Sequence, residues 1–267
     1  MDVVSLHPGV IVARSVRWQT TCTILHAKLP EAAAGAGETF VVDSPVHPSE
    51  LAALPALIGQ ADWQLSGLLA THGDWDHLLA RTAFPDAALG VAETTAARLR
   101  AEPGAAQRDA RADDEREYVV RPPLSLGQVQ ALPVPGTLEL GEHELQLLPA
   151  DGHTQDGMAV WAPFAGVLCP GDYLSPSEIP LIEQHGSASA YLATLRRLQP
   201  YVEQAEWVVS GHGGPIDAPR ALAIMREDMA YVEALLDDPT QVKLPIARSD
   251  SRQRELHEQN VRRCSST

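Results

Sequence analysis

The chain has 267 residues, 45% hydrophobic and 21% charged, which is enough to bury a sizeable core without disulfides or other staples. Its formal net charge of −15 repels polyanions, so it lacks the basic footprint that supplies most nucleic-acid affinity. The cysteines, Cys22, Cys169 and Cys264, are far apart and form neither a disulfide framework nor a CxxC metal site, which makes a reducing cytoplasm the expected compartment.

Along the chain, MDVVSLHPGVIVARS has no basic region followed by a long apolar run, so no signal peptide is expected. No run of about 18 uncharged apolar residues occurs either, so no membrane span is expected. Val10–Arg14, Thr21–Leu29 and Thr39–Val42 read as strands, with Glu31–Gly37 as a flexible hairpin loop. Pro48 to Ile58 has helical apolar spacing, with Ser49 and Glu50 suited to its N-terminus. Leu65–Ala70 reads as a buried strand, Leu78 to Thr82 as a helix, Ala87–Val91 as a strand and Glu93–Ala101 as a helix. The charged stretch from Glu102 to Arg121 is expected to be a solvated loop or surface helix; a mobile cover over a site is the sharper alternative. Strands over Val129–Leu132, Thr137–Leu140, Glu144–Leu148, Met158–Trp161 and Val167–Cys169 suggest a second, antiparallel-rich sheet. Helices over Ser187–Leu198 and Arg220–Leu236 flank a short strand at Trp207–Ser210. One α/β domain with two sheets is expected over residues 1–245. A polar tail, residues 246–267, would be disordered or pack on a partner.

Five acid and histidine clusters each follow an apolar strand: Asp43, THGDWDH (Thr71–His77), DGHT (Asp151–Thr154), Gly171–Asp172 and GHGG (Gly211–Gly214). Strand ends deliver side chains to one rim of a sheet, and flanking glycines let the backbone turn there. In an extended segment His72 and Asp74 point the same way and can grip one cation. A turn into helix at Asp76 would swing Asp76 and His77 toward a neighbouring position. Alone, this segment is read equally well with Asp76 as a helix N-cap and the histidines as surface residues. With His153, Asp172 and His212 at matching strand ends, the metal reading prevails, because imidazole and carboxylate are the usual ligands of divalent cations.

The HxHxDH-like segment, the downstream GHT, GD and GHG clusters, and VVDSP before the first helix together resemble the metallo-β-lactamase superfamily, in order and spacing from about Val10 to Leu236. The resemblance implies a four-layer αββα sandwich with its site at one edge of the two sheets. It further implies that His72, Asp74 and His153 hold one metal, that Asp76, His77 and His212 hold a second, and that Asp172 bridges them. Asp43 would orient ligand loops without ligating. One departure stands out: Asp74 occupies the place of the family's second histidine. A third carboxylate would bring a site of about +1 to about zero and weaken its pull on anions. A harder donor also makes manganese or iron more competitive with zinc, the first expectation for the two cations.

The expected activity is hydrolysis of a small, neutral or weakly charged ester, lactone, thioester or phosphodiester by a hydroxide shared between two divalent ions and oriented by Asp76. Diiron-type redox chemistry and a non-catalytic metal-binding protein are the alternatives. The expected partner is a small molecule, with neither nucleic acid nor membrane involved. Trp75 walls a pocket or packs in the core, and Tyr173, Ser175, Ser210 and Cys169 are read as structural. His185 reaches the site from its loop or lies on the surface, the latter being favoured.

Overall fold

The computed structural model describes residues 1–29 and 37–265, so the hairpin-loop expectation for Glu31–Gly37 falls outside the described residues, apart from Gly37. A seven-stranded sheet follows chain order: β1 (Asp2–His7), β2 (Val10–Arg14), β3 (Thr21–Lys28), β4 (Gly37–Asp43), β5 (Gly67–Ala70), β6 (Leu89–Ala92) and β7 (Val129–Leu132). Strands β1 to β4 pair antiparallel and β4 to β7 parallel. The parallel crossovers carry α1 (Pro48–Gln60), the short α2 (Trp75–Leu78) and α3 (Ala80–Ala83), then α4 (Glu93–Ala101) and α5 (Ala105–Glu117).

The second, six-stranded sheet comprises β8 (Gly136–Leu140), β9 (His143–Pro149), β10 (Met158–Ala162), β11 (Val167–Cys169), β12 (Trp207–Val208) and β13 (Ile216–Asp217), in the spatial order β13-β12-β11-β10-β9-β8. Its outer face is covered by α6 (Ala188–Gln204), α7 (Ala218–Asp237) and α8 (Ser251–Cys264). No helix among the described residues is long and apolar enough to cross a membrane.

Strand periodicity explains the layering. Successive side chains point to opposite faces, so Leu68 joins the core under α1 to α5 while Leu69 joins the core between the sheets. In β10, Val160 faces the inter-sheet core and Trp161 faces α6 and α7. The four layers are helices, sheet, sheet and helices, as the sandwich expectation required.

Several expectations need correction. β7 belongs to the first sheet, parallel to β6, rather than opening the second. Local composition cannot reveal this, because β7 pairs through a crossover that includes α4 and α5. The helix expected over Leu78–Thr82 is two short pieces, the first beginning at Trp75, three residues earlier. The charged stretch contains α5, a surface helix whose small residues Ala106 and Ala110 are buried in the first helical layer, and the stretch also borders a cleft through Glu102, Ala105 and Asp109. The polar tail is not a loose end: α8 buries Gln253, Leu256 and Asn260 against its own chain.

Candidate metal centre

Strand direction brings the five clusters together. Asp43 and the Thr71–Asp74 segment leave the parallel strands β4 and β5 at the same rim. In the second sheet, β9 and β11 are both antiparallel to β10, and β12 is parallel to β11. The segments carrying His153, Asp172 and His212 therefore also emerge from one rim. The two rims are stitched by the Thr21 amide donating to Gly211 O at 2.8 Å and by a bridge between Thr20 and His212. Glycine is required at position 211, because a β-carbon there would collide with the Asp172 carboxylate and the His77 ring.

The imidazoles and carboxylates form interlocking groups whose potential ligand atoms lie within 4.8 Å of one another: His72, Asp74, His153; His72, His77, Asp172; and Asp76, His77, His212. Asp74 Oδ2 is 3.4 Å from His72 Nε2 and 3.5 Å from His153 Nε2. Asp76 Oδ2 is 3.5 Å from His212 Nε2 and 3.8 Å from His77 Nε2. Asp172 lies between the outer groups, with Oδ2 3.4 Å from both His153 and His212 and Oδ1 3.3 Å from His77. Every residue expected to ligate is brought into this one cluster.

The donor set fits small divalent cations. His72 Nε2, His77 Nε2, His153 Nε2 and Asp172 Oδ1 are buried without a hydrogen-bond partner, a costly state for polar atoms unless something else satisfies them. Bonds of about 2.1 Å in tetrahedral array put ligand atoms about 3.4 Å apart, close to the spacings around Asp74 and Asp172.

The opposite ring nitrogens of His72, His153 and His212 are held from behind by hydrogen bonds, as ligand histidines require, and that of His77 faces a carboxylate. His153 Nδ1 donates to Leu181 O at 2.8 Å, and His212 Nδ1 to Trp18 O at 3.1 Å. His77 Nδ1 lies 3.1 Å from Asp43 Oδ2. Asp43 also accepts from the Thr71 amide at 2.8 Å and from Thr71 Oγ1 at 2.9 Å. With its only proton spent there, Thr71 Oγ1 must accept from His72 Nδ1, 3.1 Å away. Each pairing leaves the Nε2 lone pair facing the cluster. Asp43 adopts the left-handed conformation, φ 59°, a strained position for a non-glycine residue at the strand end.

Electrostatics without cations follow from this crowding. Burial pushes the His153 and His212 imidazoles down, but facing carboxylates, Asp172 above all for His212 and Asp74 with Asp172 for His153, carry them up to about 9 and about 10. Burial likewise opposes ionisation of Asp74 and Asp172, yet the neighbouring imidazoles hold both well below the usual carboxylate range.

A family model described as the metallo-beta-lactamase superfamily matches residues 18–212. The chain belongs to that superfamily. Among solved structures, a metallo-beta-lactamase family protein from Thermus thermophilus is 23% identical, with a TM-score of 0.61 over 87% of this chain and 83% of that one. The DIM-1 metallo-beta-lactamase is 18% identical, with a TM-score of 0.60 over 87% of this chain and 97% of that one. The inverting sec-alkylsulfatase Pisa1 from Pseudomonas sp. is 13% identical, with a TM-score of 0.70 over 98% of this chain and 49% of that one. At these identities the likeness is one of fold. A search of curated proteins returns no match.

The centre opens into a cleft of about 380 Å³ between the two halves of this superfamily fold. Trp75 both lines it and packs edge-on against Trp18, 5.7 Å between centroids. His185 is exposed, as the favoured surface reading expects, and borders the mouth of the cleft. Tyr173 sits beneath the floor, accepting from the His153 amide at 3.0 Å and donating to Asp151 O at 2.7 Å. Ser175 Oγ donates to His212 O at 2.7 Å, a structural role, and Cys169 is buried.

Three contributors were not singled out from the sequence. Arg98 of α4 pairs with Asp74 and Asp156, each at 2.8 Å. Asp156, in the same loop as His153, accepts from the Gly73 amide at 3.0 Å. The C-terminal segment braces the loop that carries Leu181: Arg248 donates to Glu178 O at 2.8 Å, Gln253 accepts from Ile179 N at 2.8 Å, and Asn260 accepts from Ile182 N at 2.8 Å. A second aspartate in DGHTQDG was the one local hint of any of them.

Proposed function

We propose that the chain is a dinuclear metal-dependent hydrolase of a small, neutral or weakly charged ester, lactone, thioester or phosphodiester. The observation that carries this reading is the set of buried, unpartnered atoms His72 Nε2, His77 Nε2, His153 Nε2 and Asp172 Oδ1 turned toward one another at the cleft floor. His72, Asp74 and His153 would hold one cation, Asp76, His77 and His212 the other, and Asp172 both. Zinc is the proposed metal, with manganese or iron favoured more than usual by the harder donor at position 74.

Divalent cations at such a site supply Lewis acidity toward water and toward a substrate oxygen. The chain's own groups do the rest. Asp76, on the first turn of α2 and lining the cleft, accepts a proton and orients the attacking water. Trp18 and Trp75 wall the cleft and limit water entry. Glu102, Asp109, Glu178 and Glu183 line it against only Arg98 and Arg252 among its arginines, which disfavours a strongly anionic substrate. The cleft volume of about 380 Å³ suits a small molecule.

The test is elemental analysis of the purified protein combined with a panel of ester, lactone, thioester and phosphodiester substrates. Two cations per chain are expected, with Asp76→Asn and His153→Ala each lowering the best activity by about 100-fold or more. Unchanged turnover in both variants would remove the proposal.

A further inference from the structure

We propose that Arg98 is a positioning residue that makes Asp74 a competent single-oxygen ligand in the place of the superfamily's histidine. This rests on the two-cation reading of the site.

An imidazole held from behind offers one lone pair in a fixed direction. A carboxylate has two equivalent oxygens and a freely turning terminal bond, so it needs something to select one oxygen. Arg98 does this. Its Nη2 donates to Asp74 Oδ1 at 2.8 Å, leaving Oδ2 3.4 Å from His72 Nε2 and 3.5 Å from His153 Nε2. Arg98 therefore stands to Asp74 as Leu181 O stands to His153: a partner on the far side that aims the ligand atom.

The same guanidinium reaches a second carboxylate. Arg98 Nη1 donates to Asp156 Oδ1 at 2.8 Å, and Asp156 Oδ2 accepts from the Gly73 amide at 3.0 Å. Asp156 is fully buried and anchors the residue immediately before Asp74. The backbone of the ligand segment and the side chain it presents are thus referred to one planar fork. Glycine at 73 eases the close approach, since a β-carbon there would stand a tight 3.3 Å from Asp156 Oδ2. Two donors in fixed planar geometry are what arginine offers and lysine does not. Charge compensation follows as well, because Asp74, Arg98 and Asp156 together carry one negative charge instead of two.

The experiment is a stepwise chelator titration of the zinc-loaded full chain, read by a metallochromic indicator. In Arg98→Met, one of the two release steps should shift by about 10- to 100-fold toward weaker binding while the other stays within about threefold. The same substitution made beside Asp74→His should give a clearly smaller shift, because an imidazole there has no second oxygen to restrain and only the Asp156–Gly73 anchor is disturbed. Should Arg98→Met not fold, Arg98→Lys replaces it in both backgrounds, with a smaller shift expected that shrinks further beside Asp74→His. Equal weakening of both steps, a shift of the same size in both backgrounds, or no shift at all overturns the role of Arg98. Wild-type protein that takes up no zinc would instead overturn the two-cation reading on which it rests.

Discussion

Asn260 ties the C-terminal helix to the loop behind His153 in the candidate metal centre, and replacing it by leucine tests how far that bracing extends. Its side chain is fully buried on α8. Oδ1 accepts from the Ile182 amide at 2.8 Å, while Nδ2 donates to Pro180 O at 2.6 Å and to the Tyr231 hydroxyl at 3.1 Å. Leucine is close enough in shape to asparagine that cavity and overpacking terms are small. What is lost is polar satisfaction: the Ile182 amide and Pro180 carbonyl are stranded, each at about 1–3 kcal/mol. A total loss of about 2–6 kcal/mol is expected, which a domain in the middle or upper part of the usual range of about 5–15 kcal/mol survives in folded form. Because Leu181 O receives His153 Nδ1 between those two anchors, the loosened loop should also weaken cation binding. Urea unfolding of the metal-free protein gives the first number, and hydrogen exchange across residues 175–186 locates it. A stability within about 0.5 kcal/mol of wild type, with unchanged exchange in that segment, refutes the bracing argument.

Asp43→Asn keeps a residue tolerant of the left-handed conformation but replaces one acceptor oxygen facing His77 and Thr71. Cation affinity should fall about 10- to 100-fold by chelator competition, while the melting temperature of the metal-free form moves little. The metal-free protein should also lose stability as pH rises. His153 and His212 are raised from 6.5 in the unfolded chain to about 9 and about 10 when folded, so their contribution is complete below 6.5 and is lost as pH climbs through 9 to 10. Thermal melts in EDTA between pH 6.5 and 10 should decline for this reason, and zinc-loaded protein should not show this decline, because a bound imidazole is already neutral and has no second proton to lose in that range. A flat or rising profile in EDTA contradicts the assigned shifts.

The identities of the clustered residues were legible because each sits in a short local pattern at a strand end, and strand ends are announced by apolar runs meeting glycine, aspartate and histidine. Thus THGDWDH, DGHT, GD and GHGG pointed to one rim from their local context alone. The same local signal set most helices and strands, with boundaries shifted by a few residues where capping and pairing, rather than composition, ended them. α6 runs through Pro200 to Gln204, well past the expected Leu198, since its buried face continues to Val202.

Other features existed only once distant segments met. Arg98 in ETTAARLRA looks like any surface cation on a helix, and only the packing of α4 beside the β5 loop turns it toward Asp74. The tail hid its helix for a similar reason. Two of its three buried residues, Gln253 and Asn260, are amides serving backbone groups on a loop more than 70 residues away, so no apolar periodicity marked the buried face. Hydrophobic patterning reports which side of an element faces a core. It carries no information about which polar side chain will satisfy which remote amide, and in this protein those pairings brace the loop that holds His153.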